Sequence, residues 1–160
     1  MMHVFKIPGC PVESTKLKLQ SIVSSIKEVD TEYCYNIEFD TPKGQLSAGD
    51  MNKLIWLLSE TFEPDRTRHN TSFLLESHTW DINNNNNKDN QVLLEFGPRL
   101  AFTTAWSSNC ITMCNACGIK GLTRVERSRR YLISSTIPMN DDMIEVISIA
   151  LHDRMTECRY

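Results

Sequence analysis

The sequence predicts an α+β fold: two βαβα-like halves forming a mainly antiparallel sheet with helices packed on one face. Three observations carry this. Val29, Tyr33, Tyr35, Ile37 and Phe39 alternate with Asp30, Glu32, Asn36 and Glu38, the period of a strand with one wet face. Met51, Leu54, Ile55 and Leu58 recur at helical spacing behind Ser47, an amphipathic helix with a capping residue. The order strand–helix–strand–helix then occurs twice, on either side of an extra strand or hairpin, which favours antiparallel sheet with helices laid on it. No residue-level repeat relates the two halves by eye.

Taken in order, residues 2–7 (MHVFKI) form a short strand stopped by Pro8-Gly9. Glu13-Ser14-Thr15 are expected to cap a helix whose apolar side is Leu17, Leu19, Ile22, Val23 and Ile26. The strand at 29–39 breaks at Thr41-Pro42-Lys43-Gly44. The helix after Ser47 extends its apolar side to Phe62, widens it with Trp56 and Leu57, and ends at Glu63-Pro64-Asp65. Residues beyond that read as loop with a short apolar piece at 73–75. Asn83 to Asn87 is an unbroken asparagine run that buries no apolar surface, so 81–90 is expected to be a mobile loop insertion. Strand 91–96, a Gly97-Pro98 turn and an extended Leu100–Trp106 follow. Ser107 or Ser108 is expected to cap a helix over 109–117 closed by Gly118. Val125–Ser134 reads as a strand, with Arg127 and Arg129 on one face and Arg130 on the other. Asn140-Asp141-Asp142 begins a last helix, which is expected to contain His152.

A chain of 160 residues, 41% hydrophobic, fits one domain with a core of its own. No run approaches the roughly 20 apolar residues of a membrane helix, and the N-terminus lacks the pattern of a signal peptide. The six cysteines therefore read as reduced thiols in a cytoplasmic protein. Charge is uneven. Of a net −3, the segment 97–131 carries six Lys/Arg against the single Glu126.

That segment holds the residues with the most chemistry. Cys110, Cys114 and Cys117 have a spacing that can hold an iron–sulfur cluster. The same spacing is one face of a helix, where cysteines are ordinary core residues, and the core reading is preferred. The four histidines are scattered, and no phosphate-binding loop or nucleophile elbow is present. Arg124, Arg127, Arg129 and Arg130 suit bidentate grip of carboxylate or phosphate. The aromatic interleaving of single-strand binders is missing and the chain is acidic overall, so an acidic protein surface is preferred over nucleic acid as the partner.

The run EFGPRLAFTTAWSSN followed by CNACGIKGLTRVERSRRY closely resembles the N-terminal region of the large single-chain phosphoribosylformylglycinamidine synthases. YCYNIEF (33–39), KLIWLL (53–58) and ALHDRMTE (150–157) extend the likeness over nearly the whole chain. The resemblance implies a glutamine amidotransferase of purine biosynthesis. It would convert formylglycinamide ribonucleotide, ATP and glutamine to the amidine, using ATP and Mg²⁺, with a glutaminase domain carrying a catalytic cysteine. It further implies that this region looks like a fused pair of small PurS subunits, in keeping with two βαβα-like halves.

The linker, synthetase and glutaminase domains of that family lie outside these 160 residues, so no catalytic, substrate-binding or metal-binding residue is carried over, and no cofactor is expected in this chain. The expected role is scaffold and docking, with the synthetase and glutaminase domains as partners in cis or in trans and neither nucleic acid nor membrane. Candidate docking residues are Gly97, Pro98, Arg99, Trp106, Asn109, Arg124, Arg127, Arg129 and Arg130. A tight turn at Gly97-Pro98 and a core position for Trp106 fit equally well. The alternative role is a stand-alone, non-catalytic PurS-like adaptor.

Overall fold

A computed structural model describes residues 1–8, 12–40, 46–59, 64–77 and 90–160. The expectations for Thr41-Pro42-Lys43-Gly44, Phe62 and the asparagine run lie outside the described residues. Among the described residues six strands form one sheet: β1 (Met2–Lys6), β2 (Ile26–Phe39), β3 (Thr67–His69), β4 (Gln91–Pro98), β5 (Leu122–Ser135) and β6 (Glu157–Arg159). Their order is β3-β1-β2-β5-β4-β6, every pairing antiparallel. The helices are α1 (Glu13–Ile22), α2 (Ala48–Leu58), α3 (Phe73–Ser77), α4 (Ala105–Ala116) and α5 (Asp141–Leu151). The α+β, mainly antiparallel architecture predicted from the sequence is the one observed.

The two halves repeat at the level of residues once register is known. Ile26, Val29, Tyr35 and Ile37 on β2 recur at the same spacing as Leu122, Val125, Tyr131 and Ile133 on β5, all buried. Val4 lies opposite Tyr35 as Leu94 lies opposite Tyr131. Ser47 accepts from the Asp50 amide at the start of α2, and Asn140 from the Met143 amide at the start of α5. These side chains satisfy donors that a helix N-terminus otherwise leaves orphaned. The repeat escapes the eye because only alternate strand positions and a few helix positions are held to it.

The helices are exchanged between halves. Leu19 of α1 and Ile147 of α5 close one core with Val29, Leu94, Tyr131 and Ile133. Leu54 and Leu58 of α2 join Cys110 and Cys114 of α4 over Val4, Tyr35 and Val125. Each core thus takes one helix from each half, and neither half closes its own.

The opposite face of the sheet is polar and is partly covered by α3, where the sequence reading had loop. Arg130 donates to Glu32 at 2.7 Å and lies 3.3 Å from Glu95. Glu32 is 0% exposed and also accepts from Ser72 Oγ at 2.6 Å and the Phe73 amide at 2.8 Å. One carboxylate thereby joins β2, β5 and the start of α3. Among the described residues five helices rather than four pack on the sheet, and this short one lies on the far side from the others, with Phe73 against Phe5 and Cys34.

Several boundaries differ from the sequence reading for physical reasons. Gly97 and Pro98, expected to turn the chain, are instead the last residues of β4, paired with Cys158 and Glu157 of β6. The next helix starts at Ala105, capped by Thr104, whose hydroxyl accepts from the Ser107 amide at 3.0 Å. Ser107 itself is buried and accepts from the Val125 amide, so the stretch 100–106 is a turn and a helix start rather than a strand. Helix α1 has Val12 at its cap with no side-chain hydrogen bond, and Leu17 and Ile22 face outward. His152 follows the end of α5, its ring stacked 4.6 Å from that of Phe96. Edge strands β3 and β6 are three residues each, too short to leave an alternating pattern.

Removing one member of a buried, hydrogen-bonded ion pair strands the other. Glu32→Ala is expected to cost about 3–5 kcal/mol, read as a lowered midpoint in urea unfolding. A midpoint unchanged from wild type would mean the carboxylate does not tie the halves together.

Candidate docking site

The nine residues singled out by sequence fall into three environments. The first is internal to the domain's edge. Gly97 pairs with Cys158 across β4–β6, and a Cβ there would meet the Tyr160 ring at 2.8 Å. The Tyr160 hydroxyl donates to the Pro98 carbonyl at 2.6 Å. Arg99 donates to the Arg154 carbonyl. Arg124 donates to the Leu100 and Phe102 carbonyls at 3.2 and 2.7 Å and pairs with Glu126 at 3.4 Å. Glu126 in turn accepts from the Thr104 amide and hydroxyl, holding the start of α4. These four candidates shape a loop and a helix end.

Arg130 is the second environment. It is 9% exposed, held by Glu32 and Glu95, with its guanidinium 5.1 Å from the Phe5 ring centroid. No surface is offered by it.

The third environment is open. Between the α1/α5 and α2/α4 cores a strip of the sheet's helical face stays uncovered, and Arg127 and Arg129 stand on it exposed. Tyr33 lies between them: Arg127 sits 4.5 Å and Arg129 5.4 Å from its ring centroid. Arg129 also donates to the Tyr131 and Tyr33 hydroxyls at 3.3 and 3.4 Å. Trp106, 38% exposed, stacks 5.9 Å from Tyr35 with Arg127 5.8 Å from its ring. Among the described residues neither guanidinium has a carboxylate partner, in contrast to Arg124 and Arg130.

Two cavities open on this strip. One of about 230 Å³ is walled by Tyr35, Leu57, Leu58, Trp106, Asn109 and Met113; the other, about 140 Å³, by Tyr33, Phe96, Arg129, Leu151 and Glu157. Arg127 borders both. Sequence reasoning placed Arg127 and Arg129 on one strand face but missed Tyr33 and Leu57. The alternation that put Tyr33 on the helical side of β2 was the available signal.

The cysteines divide. Cys110 and Cys114 are buried in the α2/α4 core, whereas Cys117 caps the helix and is exposed, so the three do not share one buried face. Cys34 is buried beside His3 and Asn36. Burial, then the charge of Glu95, push its thiol up to about 12, which leaves it un-ionised and inert near neutral pH. Among the described residues no helix is long and apolar enough to cross a membrane.

Residues 32–160 match the protein family described as formylglycinamide ribonucleotide amidotransferase N-terminal. This chain belongs to that family. It is 38% identical over 84% of its length to the phosphoribosylformylglycinamidine synthase of Dictyostelium discoideum. It is 35% identical over 100% of its length to a probable synthase of Arabidopsis thaliana named chloroplastic/mitochondrial. The human synthase is 35% identical over 98% of the chain. The chain spans 9% of the first of these relatives and 11% of the other two. Within this N-terminal family domain, Gly97, Pro98, Arg99 and Arg124 are engaged by Tyr160, the Arg154 carbonyl, the Leu100 and Phe102 carbonyls and Glu126.

Tyr160 reports on these contacts. Partial burial, with Tyr160 still 42% exposed, is the main cause that raises its phenol from 10.0 to about 12. A raised folded-state pKa gives stability that is fully present below pH 10 and lost as pH climbs towards 12. In Gly97→Ala the new methyl displaces the ring, so the Tyr160 titration is expected to fall back towards 10.0. Ultraviolet difference titration checks this, and an unmoved midpoint would show that the ring does not depend on the glycine.

Proposed function

We propose that this domain is the non-catalytic scaffold of a phosphoribosylformylglycinamidine synthase, docking the synthetase and glutaminase domains that perform the chemistry. The complete enzyme would convert formylglycinamide ribonucleotide, glutamine, ATP and water to the amidine, glutamate, ADP and phosphate. The observation that carries the reading is the division of the arginines. Those of the polar face and the domain edge are engaged internally, while Arg127 and Arg129, exposed beside Trp106, have no carboxylate partner among the described residues. Arginine and tryptophan are the residues most enriched where protein surfaces meet.

ATP and Mg²⁺ do not fit the residues described here. Among them no three His, Cys, Asp or Glu side chains converge, and the sequence has no glycine-rich phosphate loop. No step is therefore assigned to this chain, and its part in the reaction is positional: holding two active sites in the orientation that ammonia transfer needs. The partners are protein, not nucleic acid or membrane. A cytoplasmic setting is proposed, with the compartment left to each family member, since the Arabidopsis relative is named chloroplastic/mitochondrial.

The purified chain is expected to form no amidine from formylglycinamide ribonucleotide, ATP and Mg²⁺ with either glutamine or ammonia, measured by glutamate release and by product chromatography. Turnover by these 160 residues alone would contradict the scaffold reading.

A further inference from the structure

The scaffold reading leaves open what the uncovered strip receives. Its two cavities differ in chemistry. The larger is lined by apolar side chains with one amide, Asn109, at its wall; the smaller has Arg129 and two phenols within reach. Arg127 forms the border of both. A guest filling the first with an apolar side chain therefore lies beside Arg127, which leads into the second cavity and Arg129.

Resting on the scaffold reading, we propose that the strip is a bipartite site for an acidic–apolar segment of the remaining polypeptide of the same enzyme. A large apolar side chain enters between Trp106, Leu57 and Met113, and a neighbouring Asp or Glu is gripped by Arg127 and Arg129. Three observations support this occupant. Two guanidiniums held against one ring are pre-ordered, so little side-chain entropy is lost when a carboxylate arrives. Neither has a carboxylate partner among the described residues, so charge complementarity is unmet. Trp106 and Met113, 38% and 55% exposed, give an apolar anchor beside the charges. Relatives about ten times longer than this chain supply ample sequence for the guest. Glu157, on the wall of the smaller cavity, accepts from the Asp153 amide at 2.9 Å and makes no ion pair with either guanidinium.

The test uses synthetic peptides tiling the rest of the full-length sequence, titrated onto the 160-residue chain by calorimetry at low and high salt. Binding peptides are expected to carry Asp or Glu beside a large apolar residue. Arg127→Gln with Arg129→Gln is expected to weaken them at least tenfold and to flatten the salt dependence. Trp106→Ala should weaken them at least tenfold at both salts. Lys53→Gln with Lys120→Gln, removing equal charge from exposed positions elsewhere, should leave binding unchanged. Circular dichroism of each variant separates lost binding from lost fold. Absence of any binding peptide, peptides without carboxylates binding as tightly, or arginine variants within twofold of wild type would each overturn the proposal. So would a poly(U) oligonucleotide that competes with the same arginine dependence. The scaffold reading is tested apart from this, by limited proteolysis of the full-length enzyme. A domain cut as fast as the isolated chain sinks that reading, whereas one still protected in the double-arginine variant removes only the bipartite site.

Discussion

The structure depends on one ladder. β2 and β5, fourteen residues each, run antiparallel down the middle of the sheet from Val29 opposite Ile133 to Ile37 opposite Val125. The other strands and the long helices are attached to it in pairs. β1 and β4 flank it, and the four long helices sit on one face in two exchanged couples. Because each core needs a helix from both halves, burial of apolar area is complete only when the ladder has formed. A half-domain would expose β2 or β5 along its full length, the kind of long open edge that folded proteins avoid.

The same ladder sets the chemistry of the two faces. Side chains alternate across a strand, so consecutive arginines on β5 are sent to opposite environments. Arg130 goes into a buried network with Glu32 and Glu95, where a charge is tolerable only because it is paired and hydrogen-bonded. Arg127 and Arg129 go to the strip between the helix couples, exposed and with tyrosine and tryptophan rings rather than carboxylates beside them among the described residues. An arginine-rich run that looks uniform in one dimension is thus two structural units and a surface. The exposed strip follows from the exchange itself: two helix couples on one sheet leave a seam over the strands that join the halves.

Much of this was legible beforehand. The alternation in 29–39, the caps at Ser47 and Asn140, and the split of Arg130 from its neighbours all follow from local rules, because strand period and capping chemistry act within a few residues. What was missed depends on contacts far apart in sequence. Thr104 caps α4 because Glu126, on the adjacent strand, holds its hydroxyl and amide; Ser107, one of the two expected caps, is drawn into the core by the Val125 amide. Helix α3 exists because Glu32 supplies an acceptor for its first amides. Cys117 looked equivalent to Cys110 and Cys114 by spacing, yet the helix ends before its side chain can turn inward. The candidate docking set divided for the same reason: Gly97, Pro98, Arg99 and Arg124 have partners brought by β6 and the loop after β4, which no local pattern announces.

If the ladder binds two incomplete halves into a single cooperative unit, its amides open only when the whole domain unfolds. Native-state hydrogen exchange measured across a denaturant series tests this directly, comparing amides of Val29–Ile37 with those of Val125–Ile133 and with the buried turns of all four long helices. The account predicts one shared opening free energy, equal to that of global unfolding, for both strands and for α1, α2, α4 and α5. A helix couple, or one half, exchanging through a separate opening of much lower free energy would contradict it.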